Sequence, residues 1–368
     1  MASLEIVFRL ANFDFRRQAS FLSRVPPFGQ KPRVPTGEVF FRRSGPLTWT
    51  GQVLKGHLAA YNISTESYRD EPVVTVNYNR LGFRNEDDLT AWDLAVAGDS
   101  FTELGYLPAD QLFTTILSHQ LSLRVLNLGV SFTGSLTQLS YLRDYGVCPE
   151  LRATVIVFYE GNDMEEIRRE YLGLLRFQKT GQRLLRELHE QTSFLRAFGE
   201  RLQRSSVPPE IAELPVDAFL QSARGRVPVT LEPPPANRAD QPEEALRALA
   251  RFATDYAAFA RNRHISPWLA YMPCKQRVWH GHLEFSDTAT PAIKNWLPTD
   301  LPTVVAEECA RNGIGFIDLT PALREATERT GELMYNALYD THLNARGSEV
   351  VASALAVSLQ GIRFQAER

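Results

Sequence analysis

The chain has 368 residues, of which 44% are hydrophobic and 23% charged, an ordinary composition for a globular protein with a sizeable core. The formal net charge of −3 argues against the basic surface typical of nucleic-acid-binding proteins. Three widely spaced cysteines fit neither a disulfide framework nor a zinc motif, and no apolar run reaches the roughly 18 residues that a membrane span needs.

The first 91 residues lack any alternation of strand and helix patterns. Prolines and glycines punctuate residues 26–37, whereas the run at 72–78 is typical of a strand. Residues 79–84 predict a turn in which Gly82 takes a positive φ. We therefore expect a β-rich N-terminal extension (1–91) and a main domain (92–368). The first residues lack the apolar core of a signal peptide, so the chain reads either as cytoplasmic or as a trimmed periplasmic or secreted domain.

From residue 92 onward, strand and helix patterns alternate. Strands are predicted at 92–97, 124–130, 153–159, 267–272 and 315–319, and helices at 107–121, 134–145 and 346–360. The run at 153–159 is almost entirely apolar, which indicates a central strand buried on both faces. Repeated βα units predict a parallel sheet covered by helices on both faces.

An insertion at about 164–263 interrupts this alternation. Its first part is rich in leucine, phenylalanine and arginine with a helical pattern, its middle is rich in proline, and a helix at 245–261 leads back to the sheet. A cap over the functional site and a purely structural addition are both compatible with this pattern. An amphipathic helix that carries Arg is also compatible with contact to a membrane surface, but the mixture of Glu and Arg favours a solvated helix face and leaves that alternative unsupported.

The first predicted strand leads into the tripeptide Gly98-Asp99-Ser100 and then into a helix. A serine on such a turn lies at the carboxyl edge of a parallel sheet, where ligands usually bind. Its amide lies near a helix N-terminus, which favours developing negative charge. The alternative is a simple helix cap.

Three further motifs follow in order: the glycine-bearing segment 127–134, the tetrapeptide Glu160-Gly161-Asn162-Asp163, and Asp340-x-His342 before the last helix. Their chemistry is complementary. A serine nucleophile needs a base such as His342, the imidazole needs an orienting acceptor such as Asp340, and an oxyanion needs donors such as the Asn162 amide.

This ordered set resembles the four sequence blocks of the SGNH (GDSL-like) hydrolases, over about 92–361 without the insertion. The resemblance implies a flavodoxin-like three-layer α/β/α fold with a five-stranded parallel sheet in the order 2-1-3-4-5. It implies Ser100 as nucleophile, His342 as base and Asp340 as its orienter. It further implies an oxyanion hole made of the Ser100 N–H, a second-block N–H and the Asn162 amide, with no metal and no cofactor.

The chain departs from the family pattern in two places. Phe132 occupies the position where these hydrolases usually carry the oxyanion glycine; its N–H could still serve, but a positive φ would be costly for phenylalanine. Gly129 and Gly134 are the alternative donors. The spacing Asp340-x-His342 is one residue shorter than the common one, and it also occurs in relatives that act on alginate O-acetylation.

The remaining candidates have supporting or weaker roles. Asp99, Gly129 and Gly161 are expected to support the site, with Asp99 holding the serine turn by side-chain hydrogen bonding. Lys275 lies in a segment similar to a Pro-x-Lys segment of the alginate-acting relatives, but the favoured interpretation is a solvated loop lysine. The pair His280 and His282 lacks a third ligand and predicts a surface loop.

The sequence thus favours a serine esterase acting on short-chain acyl esters, with a small molecule or an O-acetylated carbohydrate as substrate partner and no nucleic acid. One alternative is an O-acyltransferase that delivers the acyl group to sugar hydroxyls. Another, favoured by Phe132, is a catalytically silent carbohydrate-binding or scaffolding module. The oligomeric state is not predictable from the sequence.

Overall fold

A computed structural model of the protein describes residues 73–180 and 216–360, except 87–88, 224, 233–234 and 339, together with 6–7, 33–35, 41–43 and 45–52. The strands are β1 (Arg33–Pro35), β2 (Phe41–Arg43), β3 (Leu47–Gln52), β4 (Val73–Tyr78), β5 (Leu94–Gly98), β6 (Val125–Gly129), β7 (Ala153–Tyr159), β8 (Ala218–Ser222), β9 (Gly225–Val229), β10 (Ser266–Met272), β11 (Leu283–Phe285) and β12 (Gly315–Asp318). The helices are α1 (Ser100–Glu103), α2 (Phe113–Leu121), α3 (Ser135–Tyr145), α4 (Asp163–Thr180), α5 (Glu243–Arg263), α6 (Lys275–Val278), α7 (Pro291–Lys294), α8 (Leu301–Asn312), α9 (Thr320–Thr330) and α10 (Ala345–Leu359).

Five parallel strands form the central sheet in the spatial order β12-β10-β7-β5-β6. Counted within the main domain this is the order 2-1-3-4-5, so the predicted flavodoxin-like topology is confirmed. Every residue of β5, β6 and β7 is buried. Continuous apolar strands of this kind require helices on both faces of the sheet.

Successive residues of β5 point to opposite faces of the sheet and enter two different hydrophobic clusters. Leu94 and Val96 pack with residues of α2, α9 and α10, whereas Ala95 and Ala97 pack with residues of α3, α5 and α8. This period of two follows from the pleat of a strand. The result is a three-layer α/β/α arrangement, in which each fully buried large apolar side chain contributes about 1.5–3 kcal/mol.

The helix predicted at 107–121 is shorter than the periodicity suggested. Leu104 has φ +40° and ends α1, a 3₁₀ turn covers Ala109–Gln111 after Pro108, and α2 begins only at Phe113. Proline disfavours a helical conformation in the residue before it, so an apolar pattern that continues across Pro108 does not become one helix.

In the N-terminal extension, β3 and β4 pair in an antiparallel fashion, and the chain turns immediately after β4. Gly82 has φ +84° and its N–H donates to the Asn79 carbonyl at 2.9 Å, so the predicted turn is confirmed. The domain boundary at residue 91 stays a prediction.

The insertion contains more than the predicted helices α4 and α5. Strands β8 and β9 form a hairpin that joins β11 in a three-stranded antiparallel sheet, which the sequence interpretation missed. Pro228 lies in β9, an edge strand where the missing N–H is tolerated. The predicted leucine- and arginine-rich helical stretch after Thr180 lies outside the described residues. None of the described helices has the length and apolar content of a membrane span.

Candidate active site

The turn after β5 places Ser100 as the first residue of α1, at the carboxyl edge of the sheet. Asp99 caps this helix, because its Oδ1 accepts the Phe101 N–H at 2.9 Å. Gly98 is required by a close approach, since a Cβ there would lie 2.9 Å from Cβ of Thr102 and 3.1 Å from Cβ of Val157. The glycine therefore lets the turn sit directly on α1 and the neighbouring strand.

Three of the predicted site residues form one continuous chain of hydrogen bonds. The Ser100 Oγ lies 2.7 Å from Nε2 of His342, and Nδ1 of His342 lies 2.6 Å from Oδ1 of Asp340. A carboxylate can only accept, so Nδ1 carries the ring proton and Nε2 is free to accept the serine proton. This is the geometry of a nucleophile, a base and an orienting acid.

The loop that carries His342 is held by several further hydrogen bonds. The Asn336 side chain donates to Oδ2 of Asp340 at 3.2 Å, and the backbone N–H of His342 donates to its Oδ1 at 2.9 Å. Asn344 caps α10 by accepting the Gly347 N–H, and it donates to the Leu333 carbonyl at 2.8 Å. These contacts fix the orientation of the imidazole before any substrate binds.

Burial and charge act in opposite directions on the pKa values of Asp340 and His342. Burial raises the pKa of Asp340, but the His342 charge and hydrogen bonds, together with the charge of Lys275, outweigh burial and lower that pKa to about 2. Burial lowers the pKa of His342, yet the adjacent Asp340 anion more than offsets this and leaves it above the usual value. Asp340 therefore stays ionised while His342 titrates.

Aromatic rings enclose one side of the base. Phe101 stacks on Tyr159 with ring centroids 3.8 Å apart and lies 4.8 Å from the His342 ring. Tyr106 lies 5.6 Å from the same imidazole and donates its hydroxyl to the Leu343 carbonyl at 2.7 Å. The rings restrict imidazole rotation and reduce water access to the triad.

The N–H donors predicted for an oxyanion hole fall into two groups: those that already donate a hydrogen bond within the chain and those that do not. Gly129 N–H donates to Asn127 Oδ1 at 2.8 Å and Gly134 N–H to Glu170 Oε1 at 2.8 Å, so neither glycine offers a donor. The alternative assignments to these two glycines are therefore wrong.

By contrast, the Ser100 N–H, the Phe132 N–H and Nδ2 of Asn162 donate no hydrogen bond to any residue that the structure describes. Ser100 and Asn162 follow adjacent parallel strands, β5 and β7, and Phe132 follows β6 on the other side of β5. Three unused donors thus follow three neighbouring strands at one edge of the sheet.

Phe132 combines an unfavourable backbone conformation with an exposed aromatic ring. Its φ is +62° and the residue is 62% exposed. Bonds on both sides hold the conformation: the Ser131 N–H donates to Glu103 Oε2 at 2.7 Å, and the Thr133 hydroxyl donates to the Val130 carbonyl at 2.6 Å. Strain of this kind persists where the surroundings impose it and is concentrated at functional sites.

The backbone strain at Phe132 predicts that two variants at this position differ in their free energy of unfolding. Phe132→Gly is expected to be more stable than Phe132→Ala by about 1 kcal/mol, because only glycine adopts a positive φ without a Cβ clash. Denaturant unfolding of both variants measures the difference in the free energy of unfolding. An alanine variant as stable as the glycine variant would contradict the strain.

Several supporting residues carry no sequence signal. Glu103, fully buried, accepts the Tyr78 hydroxyl at 2.7 Å and holds Ser131. The buried Arg84 donates to the carbonyls of Leu104 at 2.9 Å and Leu107 at 2.7 Å. The N-terminal extension thereby supports the serine turn and the second block at once, through contacts that no local pattern reveals.

Two buried carboxyl groups lie beneath the nucleophile. Burial raises the pKa of Asp99 to about 6 and raises that of Asp163 well above its usual value, to which repulsion from Asp99 adds. Asp163 Oδ2 accepts the Tyr159 N–H at 2.9 Å, which ties the third block to the end of β7. Asp99 and Asp163 thus accept backbone N–H groups and hold the turns that carry the site residues.

Lys275 is buried, so its interpretation as a solvated loop lysine is wrong. Its Nζ donates to the carbonyls of Thr230 at 3.2 Å and Ala337 at 3.4 Å. Burial lowers its pKa to about 8, although the nearby Asp340 charge opposes this. Lys275 thus links the insertion to the loop that carries the base.

The histidine pair His280 and His282 lies in the turn between α6 and β11, as the predicted surface loop requires. His282 is exposed and its Nε2 lies 3.2 Å from Oε1 of Glu328. Among the residues that the structure describes, no three His, Cys, Asp or Glu side chains come together as metal ligands.

The chain matches no protein-family model and no curated protein sequence. Solved structures similar to it include an acetyl xylan esterase, AlAXEase (10% identity, 72% of this chain and 99% of that chain, TM-score 0.39). They also include the acetylxylan esterase Axe2 from Geobacillus stearothermophilus (13% identity, 76% of this chain and 98% of that chain, TM-score 0.36). A third is the aryl esterase of M. smegmatis (13% identity, 74% of this chain and 100% of that chain, TM-score 0.36). Similarity at this level determines neither an activity nor a substrate.

Proposed function

We propose that the chain is a serine esterase of the SGNH type, which cleaves short-chain acyl esters through an acyl-enzyme. The observation that carries the proposal is the hydrogen-bonded series Ser100, His342 and Asp340. Nε2 of His342 is placed to accept the Ser100 proton, and three unused N–H donors follow the neighbouring strands. A protein that only binds carbohydrate has no need of this arrangement.

The proposed reaction has two halves. In the first, His342 takes the Ser100 proton, Oγ attacks the ester carbonyl, and the intermediate collapses as the alkoxide leaves with the proton from His342. In the second, His342 activates a water molecule that releases the acid from Ser100. The N–H groups of Ser100 and Phe132 and the Asn162 amide would stabilise both oxyanions, and each such donor is worth about 2.7–4 kcal/mol.

The pH dependence of the reaction follows from the base. Only neutral His342 accepts the serine proton, and Asp340 raises the pKa of that imidazole above its usual value of about 6.5. We expect kcat/KM to fall on acidification with a midpoint above pH 6.5. The pKa of Asp340, about 2, lies well below this range, and that of Asp99, about 6, lies below the expected midpoint.

A pH profile of kcat/KM on a short-chain ester measures this midpoint directly. An NMR titration of the His342 ring in Ser100→Ala provides an independent value, which should lie on the same side of pH 6.5. A kinetic midpoint at or below pH 6.5 would contradict the proposed electrostatics.

A chain-length series tests the proposed activity itself. Acetyl, butyryl, octanoyl and palmitoyl esters of one alcohol are compared by release of free acid, and we expect the highest kcat/KM with the shortest acyl groups. Adding an acceptor sugar distinguishes hydrolysis from acyl transfer, because a transferase would form acylated sugar at the expense of free acid. The absence of turnover on every ester would overturn the proposal.

A further inference from the structure

Glu232 brings a carboxylate from the insertion to the edge of the candidate site. Its Oε2 accepts a hydrogen bond from the Tyr159 hydroxyl, at the end of β7. Gly161 leaves room for this contact, since a Cβ on this residue would lie 2.4 Å from Cε1 of Tyr159 and 2.8 Å from Oε2 of Glu232. The Glu232 backbone carbonyl accepts a hydrogen bond from the Gln276 side chain, which holds the segment against the main domain.

The second carboxylate oxygen of Glu232 is unused. Oε1 accepts no hydrogen bond from any residue that the structure describes, and it is not among the buried polar atoms that lack a partner. The residue as a whole is half-buried. An anionic acceptor is therefore held in place by one oxygen and open to solvent at the other.

The position of Glu232 relates it to the alcohol part of an ester. The Tyr159 hydroxyl also lies 2.9 Å from Oγ1 of Thr341, the residue between Asp340 and His342. The negative charge of Glu232 is close enough to His342 to favour its protonated form. Because the base protonates the leaving alkoxide, the alcohol departs next to His342, and Glu232 is linked to the loop that carries His342 through Tyr159 and Thr341.

We infer that Glu232 is a specificity-determining residue that accepts a hydrogen bond from a second hydroxyl group of the alcohol moiety. The preferred substrates are then esters of polyhydroxy alcohols, of which carbohydrates are the common class, rather than esters of simple alcohols. A carboxylate cannot donate, so it selects groups that do, and its charge disfavours acidic alcohol moieties. The inference rests on the proposed esterase function.

Two esters that differ by one hydroxyl group test the inference: cyclohexyl acetate and trans-2-hydroxycyclohexyl acetate. In the wild type we expect kcat/KM to favour the hydroxy ester by about 10- to 100-fold, as for a hydrogen bond to a charged group. Glu232→Ala should bring the ratio close to one, and Glu232→Gln, which keeps a neutral acceptor, should give an intermediate ratio.

Tyr159→Phe tests the anchoring of the carboxylate separately, because it removes the hydrogen bond that holds Oε2 and keeps the charge of Glu232. Its ratio should lie between those of the wild type and Glu232→Ala, whereas a purely structural role predicts that Tyr159→Phe and Glu232→Ala lower both activities without changing the ratio. A wild-type ratio near one, or a ratio unchanged in Glu232→Ala, overturns the inference alone. A wild type that hydrolyses neither ester overturns the esterase proposal and the inference with it.

Discussion

Replacing Ser100 by alanine is expected to reduce kcat on a short-chain acyl ester by about 10⁶-fold, the size of effect typical for loss of a catalytic serine. The Oγ is the only group in the triad that can form the acyl-enzyme, and His342 Nε2 lies 2.7 Å from it. Without Oγ the site retains the unused N–H donors, so a small residual rate above the uncatalysed reaction is expected. The measurement is kcat by acid release.

The variant should fold normally, because Oγ of Ser100 hydrogen-bonds within the described chain only to His342 and, at 3.4 Å, to Asp99. Ser140→Ala is a matched control on the exposed face of α3, where the hydroxyl contacts Asp144. It should keep wild-type turnover.

Adding His342→Ala to the Ser100 variant should lower kcat little further, since the two residues act as one unit. Turnover by folded Ser100→Ala within tenfold of wild type would contradict the mechanism.

Asp340→Asn is expected to lower kcat by about 10⁴-fold while leaving the fold intact. Three donors converge on the Asp340 carboxylate: the Nδ1–H and backbone N–H of His342 and the side-chain amide of Asn336. An asparagine has one acceptor oxygen and cannot satisfy all three. Its NH₂ group would favour the imidazole tautomer that carries the proton on Nε2, which cannot accept the serine proton.

Asn336→Ala serves as the comparison, because it removes one donor at 3.2 Å and leaves the charge of Asp340 in place. The decrease in kcat of Asn336→Ala should be far smaller than that of Asp340→Asn. The residual activity of Asp340→Asn should also show its acidic midpoint at a lower pH, since the anion that raises the pKa of His342 is gone. An Asp340→Asn variant within tenfold of wild-type kcat would contradict the assigned role.

The sequence predicts the central sheet and the residues of the hydrogen-bonded triad because their signals are local. An apolar strand that ends in Gly98 and is followed by Ser100 shows both the buried strand and the turn. The order of βα units then restricts the topology to few arrangements. Predicted strand ends fall within two residues of those observed.

The supporting residues could not be predicted because their partners are distant in sequence. Glu232 meets Tyr159 across 73 residues and Glu103 meets Ser131 across 28, and no periodicity links such pairs. Lys275 reads as a solvated residue from composition alone, although its buried ammonium donates to two backbone carbonyls. The hairpin of β8 and β9 is short and contains Pro228, so its pattern resembles that of a loop.

The most direct test of Ser100 as an activated nucleophile is labelling of the folded wild type with a serine-directed fluorophosphonate, followed by intact mass analysis and peptide mapping. We expect a single adduct on Ser100, because His342 activates this serine and the unused donors stabilise the tetrahedral phosphonyl oxygen. The adduct should be absent from Ser100→Ala. No adduct in well-folded wild type, or an adduct on another serine, would contradict the claim that Ser100 is an activated nucleophile.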